Sequence, residues 1–320
     1  MWKVILKRVL VMIPQIIILS AIVFFLAKLM PGDALTGKAN SSLTVADIEA
    51  LREANGWNKP WHEQYIDWAA KALRGDFGIS YANQRPVVDA IGERLEKTVW
   101  LSILTTIIMY IIAVPLGMIA GRYQNSWADK TINFLNFLNY SIPTFVAGLL
   151  AIWLFGYTLG WFPTRGTETA GAGLTGLAYV LDRFKHILLP AIILGTLTTV
   201  STIQYLRTGI IDSKGQDYVK TARAKGVPMN KVYSQHIFRN SILPIVTFIG
   251  YDITSVLGGS VFLENIFSFP GMGKLFIDAI NGRDYSLMVA LILMYGLAGL
   301  FGSLISDIAI AIVDPRIRIQ

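Results

Sequence analysis

The stretch Gly32-Asp33-Ala34-Leu35-Thr36-Gly37-Lys38-Ala39 has the glycine and lysine spacing of a phosphate-binding loop. In such a loop backbone N–H groups cradle phosphates and a terminal Ser or Thr hydroxyl holds Mg²⁺. Ala39 stands where that hydroxyl is needed, and no buried strand precedes the glycines, so the match is expected to be a chance one. His62, His186 and His236 have no His or Glu three or four residues further on, which leaves no helical spacing for a metal site. No Gly-x-Ser-x-Gly elbow and no cysteine is present. Catalytic, metal-binding and cofactor-binding residues are all expected to be absent.

Other positions carry physical signals without implying bond chemistry. The run Gly215 to Pro228 (GQDYVKTARAKGVP) predicts a short helix over Asp217–Lys225. Gly226 supplies its stop and Pro228 blocks continuation. Val219, Ala222 and Arg223 would share one side of it, Ala222 and Ala224 would admit another protein closely, and Lys220, Arg223 and Lys225 would add positive charge. Asp252 interrupts an apolar block. An acid inside a membrane faces the bundle interior or a hydrated path, and a neighbouring Tyr, Gln or backbone group is the structural alternative. Thr196, Thr198, Thr199, Ser201 and Gln204 form a polar stripe, suited to helix–helix hydrogen bonds or to a channel wall, and Asp307 adds a second charge near a span end. Glu264 to Gly273, with Phe267, Phe269, Pro270 and Gly271, reads as an outer turn that could gate or dock a partner. Asp252, Gln204, Ser201 and Thr198 are the pathway candidates; Glu264, Phe269, Pro270 and Gly271 are the outer gate or docking candidates.

The elements that must position these residues are set by composition. The chain has 320 residues, 53% hydrophobic and only 15% charged, well below the roughly 25% of a soluble domain. Its apolar residues come in charge-free blocks of about 20, the length that crosses a hydrocarbon core. Five blocks are clean: Val9–Ala27, Thr98–Gly121, Thr131–Thr164, Ile187–Leu206 and Tyr285–Ser306. A sixth, Asn240–Leu263, contains Asp252. Thr131–Thr164 fits one long tilted helix, or a span with an amphipathic approach. The net charge of +7 lies mostly at block ends, which favours anionic lipid and membrane orientation over nucleic acid. One set of short loops and both termini carry about 14 Lys and Arg against about 5 opposite, so both termini are expected in the cytosol.

The expected class is therefore all-α, a polytopic membrane protein of six helices with a small helical extracytoplasmic domain. Residues 1–29 form the N-terminus and first span, 30–97 the outer domain, 98–313 a five-helix core with the cytosolic loop 207–239, and 314–320 the tail. The first span reads as a retained helix, because its apolar stretch exceeds the 7–15 residues of a signal peptide. Within the outer domain, Thr44 and Asp47 resemble a capping box before a helix ended by Gly56. Pro60 opens a helix over Trp61–Arg74, and Pro86 a third up to Lys97. Trp57, Trp61, Tyr65 and Trp68 suit headgroup level.

GQDYVKTARAKG followed by HIFRNSILP resembles the cytoplasmic loop of permease subunits of binding-protein-dependent ABC importers, in the peptide and nickel branch. The likeness runs along the chain: MWKVILKRVLVMIP at the start, LMPGD at 29–33, RGDFGIS at 74–80, GWFP at 160–163, LENIFSFPGMG at 263–273, RDYS at 283–286 and DPRI at 314–317. It implies one of two permease subunits forming a path, working with two cytosolic ATPases that hold the ATP and Mg²⁺, an extracytoplasmic binding protein, and a peptide cargo. It further implies a prokaryotic plasma membrane location. Among cargoes oligopeptides come first, then dipeptides, then nickel chelates. The partner permease would be a related chain, or a second copy. The loop helix would dock in an ATPase groove through Asp217, Val219, Ala222, Arg223, Ala224, Lys225, Gly226 and Pro228. The loop departs from the wider family, which begins Glu-Ala-Ala where Thr221-Ala222-Arg223 stands. The alternative from another class is an ion-gradient carrier or channel with Asp252 and Asp307 as its relay.

Overall fold

The computed structural model describes residues 2–29, 53, 58–80, 82, 84–257 and 261–313. The chance phosphate-loop likeness at Gly32–Ala39, the Thr44–Gly56 helix, Trp57 and the 314–317 ending lie outside those residues. The described chain is helical apart from turns and one isolated bridge pairing Ile79 with Pro86. Long aliphatic runs dictate this, because a backbone in hydrocarbon must satisfy its N–H and C=O groups within its own segment.

Among the described residues, three helices are long and apolar enough to cross a membrane alone: α1 (Trp2–Leu29), α3 (Val87–Arg122) and α13 (Tyr285–Val313). Two bent pairs bring the count to five, α4 (Trp127–Ser141) with α5 (Thr144–Thr158), and α6 (Gly176–Leu197) with α7 (Thr199–Lys214). Between them lie α2 (Trp61–Ala72), α8 (Asp217–Ala224) and α9, which joins Met229–Lys231, the π-helical Val232–Ile237 and Phe238–Ser241. The series continues with α10 (Leu243–Leu257), α11 (Val261–Ile266) and α12 (Met272–Asn281). Within and just beyond the block expected to form the sixth span, the described residues place α10 at Leu243–Leu257 and α11 at Val261–Ile266.

Three local differences from the sequence reading have physical causes. The helix opened by Pro86 does not stop at Lys97 but runs on as the 36-residue α3, since no Gly or Pro lies between Glu93 and Val114 to break it. Block 131–164 is split at Pro143, which holds Ile142 extended (φ −83°, ψ 117°), and α4 and α5 meet at 97°. The α6–α7 bend of 42° falls where Thr198 and Thr199 hydroxyls donate to the carbonyls of Leu194 (2.8 Å) and Thr196 (2.7 Å), competing with the helix ladder.

Small residues let the long helices meet. A Cβ on Gly250 of α10 would fall 1.8 Å from the Gly302 carbonyl of α13, and the Gly250 N–H donates to Ser306 Oγ at 3.1 Å. Gly117 and Gly121 likewise bring α3 onto Leu206 and Ile210 of α7. Such close approach replaces the hydrophobic drive that lipid does not provide. On the outer side, Tyr65 and Trp68 of α2 pack on Phe24 of α1, with ring centroids 5.6 and 5.5 Å away. The RGDFGIS and RDYS segments also meet. Asp284, fully buried, accepts from Ser80 Oγ (2.5 Å) and from the N–H groups of Ala82 (3.1 Å) and Leu287 (3.2 Å), capping α13 and pinning the outer segment to it.

Gly250→Ala is expected to lower the thermal midpoint of the detergent-solubilised protein, by about 1–3 kcal/mol of overpacking or more, because the clash is with backbone. An unchanged midpoint would show that α10 and α13 do not touch there.

Candidate coupling helix and pathway face

The α8 helix forms where the sequence places it. After α7 ends at Lys214, Gln216 is extended (φ −75°, ψ 150°), Asp217 occupies the first turn and Arg223 the last, each opposite in sign to the helix end it meets. The stop is a left-handed Gly226 (φ 73°), with the Val227 N–H returning to the Ala222 carbonyl at 3.2 Å. Pro228 then begins α9.

The facing of α8 differs from expectation. Val219 and Ala222, expected to touch a partner, are 2% and 6% exposed and pack on Leu206 and Ile210 of α7 and on Val232 and Ile237 of α9. The outward face holds Asp217, Tyr218, Lys220, Thr221, Arg223, Ala224 and Lys225, followed by Gly226 and Pro228. The apolar side of this short amphipathic helix thus binds it to its own chain, leaving a basic, small-residue side free.

A polar network that the sequence reading missed secures this end of the bundle. Asp129 of α4, 2% exposed, accepts from Arg207 Nε (2.7 Å) and Nη2 (2.8 Å) of α7, and also from the Asn125 N–H (2.8 Å) and Asn133 Nδ2 (2.6 Å). Gln204, a pathway candidate, instead donates to Asn133 Oδ1 at 2.8 Å and completes the network. Beside it, Lys214 donates to the last carbonyl of α3, at Arg122, at 2.8 Å. Arg122 itself donates to Asn230 Oδ1 at 2.7 Å and lies 4.7 Å from the ring centre of Tyr233. Asp129 and Arg207 are 78 residues apart, so no spacing rule could have paired them.

The remaining candidates divide. Asp252 accepts a 2.5 Å hydrogen bond from Tyr110 of α3, the tyrosine partner the sequence reading allowed. Asp307 pairs with Arg8 of α1 at 3.0 Å, so the two acids of the relay alternative are engaged with different helices. Thr198 bonds its own helix, whereas Ser201 is exposed. His186 lies 2.8 Å from the Asp182 carbonyl, a contact within α6.

The outer segment is a correction. Phe267 and Phe269, expected at an interface, are 2% and 1% exposed and sit in the core with Leu101, Ile152 and Ile187. Glu264, equally buried, turns its carboxylate to the N-terminus of α12 and accepts from the Lys274 N–H at 2.6 Å. Thr98 of α3 accepts from the Met272 N–H at 2.9 Å. Gly271 is required because a Cβ there would lie 2.5 Å from the Glu264 carboxylate. Burial pushes the Glu264 carboxyl from 4.5 up to about 7, against the opposing pull of the backbone donors. Pro270 is half-buried beside them. An aromatic-Pro-Gly run reads the same whether it caps a core or faces a partner, and the acid five residues before Phe269 is the one sequence signal of the cap.

Residues 113–319 match the family model described as "Binding-protein-dependent transport system inner membrane component", and residues 1–102 match its N-terminal companion. The chain is 38% identical over 315 residues to the oligopeptide transport system permease protein AppB of Bacillus subtilis, covering 98% of both chains. It is 33% identical over 314 residues, again 98% of both, to the glutathione transport system permease protein GsiC of Escherichia coli K12. Among solved structures, a chain of the MetNI methionine ABC transporter in inward-facing form superposes with a TM-score of 0.56 at 11% identity, over 70% of this chain and 96% of that one, a likeness of fold.

Asp129→Asn is expected to cost on the order of 3 kcal/mol, since Arg207 is left without its counter-charge. Replacing the pair together by Asp129→Leu with Arg207→Met should recover most of that loss in thermal unfolding, and equal losses in both variants would remove the ion pair from the account. Glu264 predicts a pH dependence. Its folded pKa is raised, so between 4.5 and about 7 the folded state holds a proton that the unfolded state has lost, and stability falls as pH rises through that window. In Glu264→Gln this slope should vanish, as read from unfolding midpoints across the same range.

Proposed function

Because the chain belongs to the binding-protein-dependent transport system inner membrane component family, we propose that it is the membrane-spanning permease of an ATP-driven importer of oligopeptides. It forms half of the path with a second permease and is served by two cytosolic ATPases and an extracytoplasmic binding protein. ATP and Mg²⁺ reside in the ATPases. The peptide assignment follows two relatives, one an oligopeptide permease and the other a permease for glutathione, itself a small peptide. In this reading α10 and its continuation complete six crossings, residues 30–97 cover the outer face, and both termini lie in the cytosol of a prokaryotic plasma membrane.

The observation that carries the reading is α8, an eight-residue helix whose apolar side is sealed to α7 and α9 while its basic side faces outward. A helix seated this way is a handle. An ATPase dimer that closes on ATP can move the permease only if it grips a stiff element with different contacts in the two states. Here Tyr218, Arg223, Ala224 and Lys225 offer the contact, and α7 receives the displacement directly because it leads into α8 through only Gly215 and Gln216.

Reconstituted with its partners, the complex should take up random-sequence pentapeptides only with ATP, and Arg223→Glu with Lys225→Glu should lower that uptake at least about tenfold at unchanged insertion. Uptake by the chain alone under an ion gradient would overturn the importer reading.

A further inference from the structure

The outward faces of the long helices differ in chemistry. On α1 the exposed residues include Ile13, Ile17 and Ile18, on α3 Ile103, Ile107 and Ile111, and on α13 Phe301, Ile305 and Ile312, all apolar as lipid requires. The exposed line of α7 reads instead Ser201, Tyr205 and Thr208, with Asp212 one turn further on, and α10 sets Phe248 beside Tyr205, whereas Tyr251 of α10 opens onto a groove shared with Arg8 and Asp307. Tyr205 and Phe248 stack across the two helices, with centroids 5.2 Å apart and planes 23° apart. Tyr205 is 48% and Tyr251 50% exposed.

None of the Ser201, Tyr205, Thr208 or Tyr251 hydroxyls has a protein partner among the described residues, whereas Thr247 and Ser255 nearby are satisfied by their own helix. Unpaired hydroxyls are costly against hydrocarbon. A tyrosine can reach toward an interface, but Ser201, about 6 Å deeper along α7 than Tyr205, has no such reach. The stripe therefore requires a polar neighbour.

We propose that this α7–α10 face is the substrate-contacting wall of the path, and that it holds the peptide main chain. Ser201, Tyr205, Thr208 and Phe248 carry no formal charge, Asp252 behind them is committed to Tyr110, and the acid Asp212 lies one turn beyond Thr208. Neutral hydroxyls match amide N–H and C=O groups, and the Tyr205–Phe248 shelf gives side chains of any kind a flat apolar support. Such a wall accepts peptides by backbone rather than by sequence. Asp252 and Gln204 act behind it as bracing, through Tyr110 and Asn133. The assignment rests on the importer reading above.

The chain has no cysteine, so single cysteines report cleanly. Ser201→Cys, Tyr205→Cys and Thr208→Cys in the assembled complex should react with a membrane-impermeant methanethiosulfonate about tenfold faster than Ile17→Cys on the lipid side. Random-sequence pentapeptides, supplied with binding protein and ATP, should slow that reaction severalfold. Ser201→Cys is close to isosteric and keeps the test valid if the tyrosine variant fails to assemble. Reaction no faster than at Ile17 assigns the face to lipid, and disulfide capture of the partner permease assigns it to the subunit interface. Fast reaction without peptide protection removes the cargo contact, so each of the three results overturns the proposal. Measuring ATP-driven pentapeptide uptake on the same preparations separates the two claims. Uptake without reactive cysteines sinks the wall alone, and no uptake by the parent complex sinks the importer reading and peptide protection with it.

Discussion

The Asp129 carboxylate, closed off from solvent and held by two nitrogens of Arg207, is the joint on which the α8 end of the bundle depends. A buried charge without its partner is strongly unfavourable, so α4 and α7 cannot separate there without severe cost. Asn133 Nδ2 and the Asn125 N–H also donate to the carboxylate, and Gln204 braces Asn133 from behind, which leaves the carboxylate one geometry. Lys214 and Arg122 extend the joint to the end of α3 and to α9.

In the proposed importer, that joint gives α8 its leverage. The α8 helix is welded to α7 and α9 by Val219 and Ala222, and α7 is tied to α4 by the ion pair. A push on the outer side of α8 is thus delivered to several helices as one body instead of being lost in loop motion. The break at Pro143 and the bend at Thr198 lie further along the same helices. They mark where the unit that carries α8 meets the other half of the bundle, itself fastened by Asp284 on Ser80 and by Glu264 at the start of α12. The path candidates follow from this division. Buried polar groups brace helices, and the hydroxyls left unpaired on α7 face the cargo.

Much of this was legible in the residues. The ends of α8 follow from Gly226 and Pro228, and the long apolar blocks mark α1, α3 and α13. Which partner α8's apolar side meets was not legible, because an amphipathic turn has the same pattern whether it faces its own core or another protein. Proline was ambiguous for a similar reason. Pro14, Pro115 and Pro190 sit inside continuous helices, while Pro143 ends one, and nothing in the residue type separates the two cases. Pairings between distant residues, Asp129 with Arg207 and Ser80 with Asp284, carry no local signal at all. Phe269 shows the converse error: an aromatic beside Pro and Gly looked like surface, and the folded chain buries it.

The central claim, that α8 and the α3–α4 turn move as one body, is tested most directly by a spin–spin distance. Labels at Lys225→Cys and Lys130→Cys should keep the same separation in the assembled complex with and without ATP, while the distance from Lys225 to its counterpart position in the second permease shortens. An ATP-dependent change in the Lys225–Lys130 distance would contradict the account.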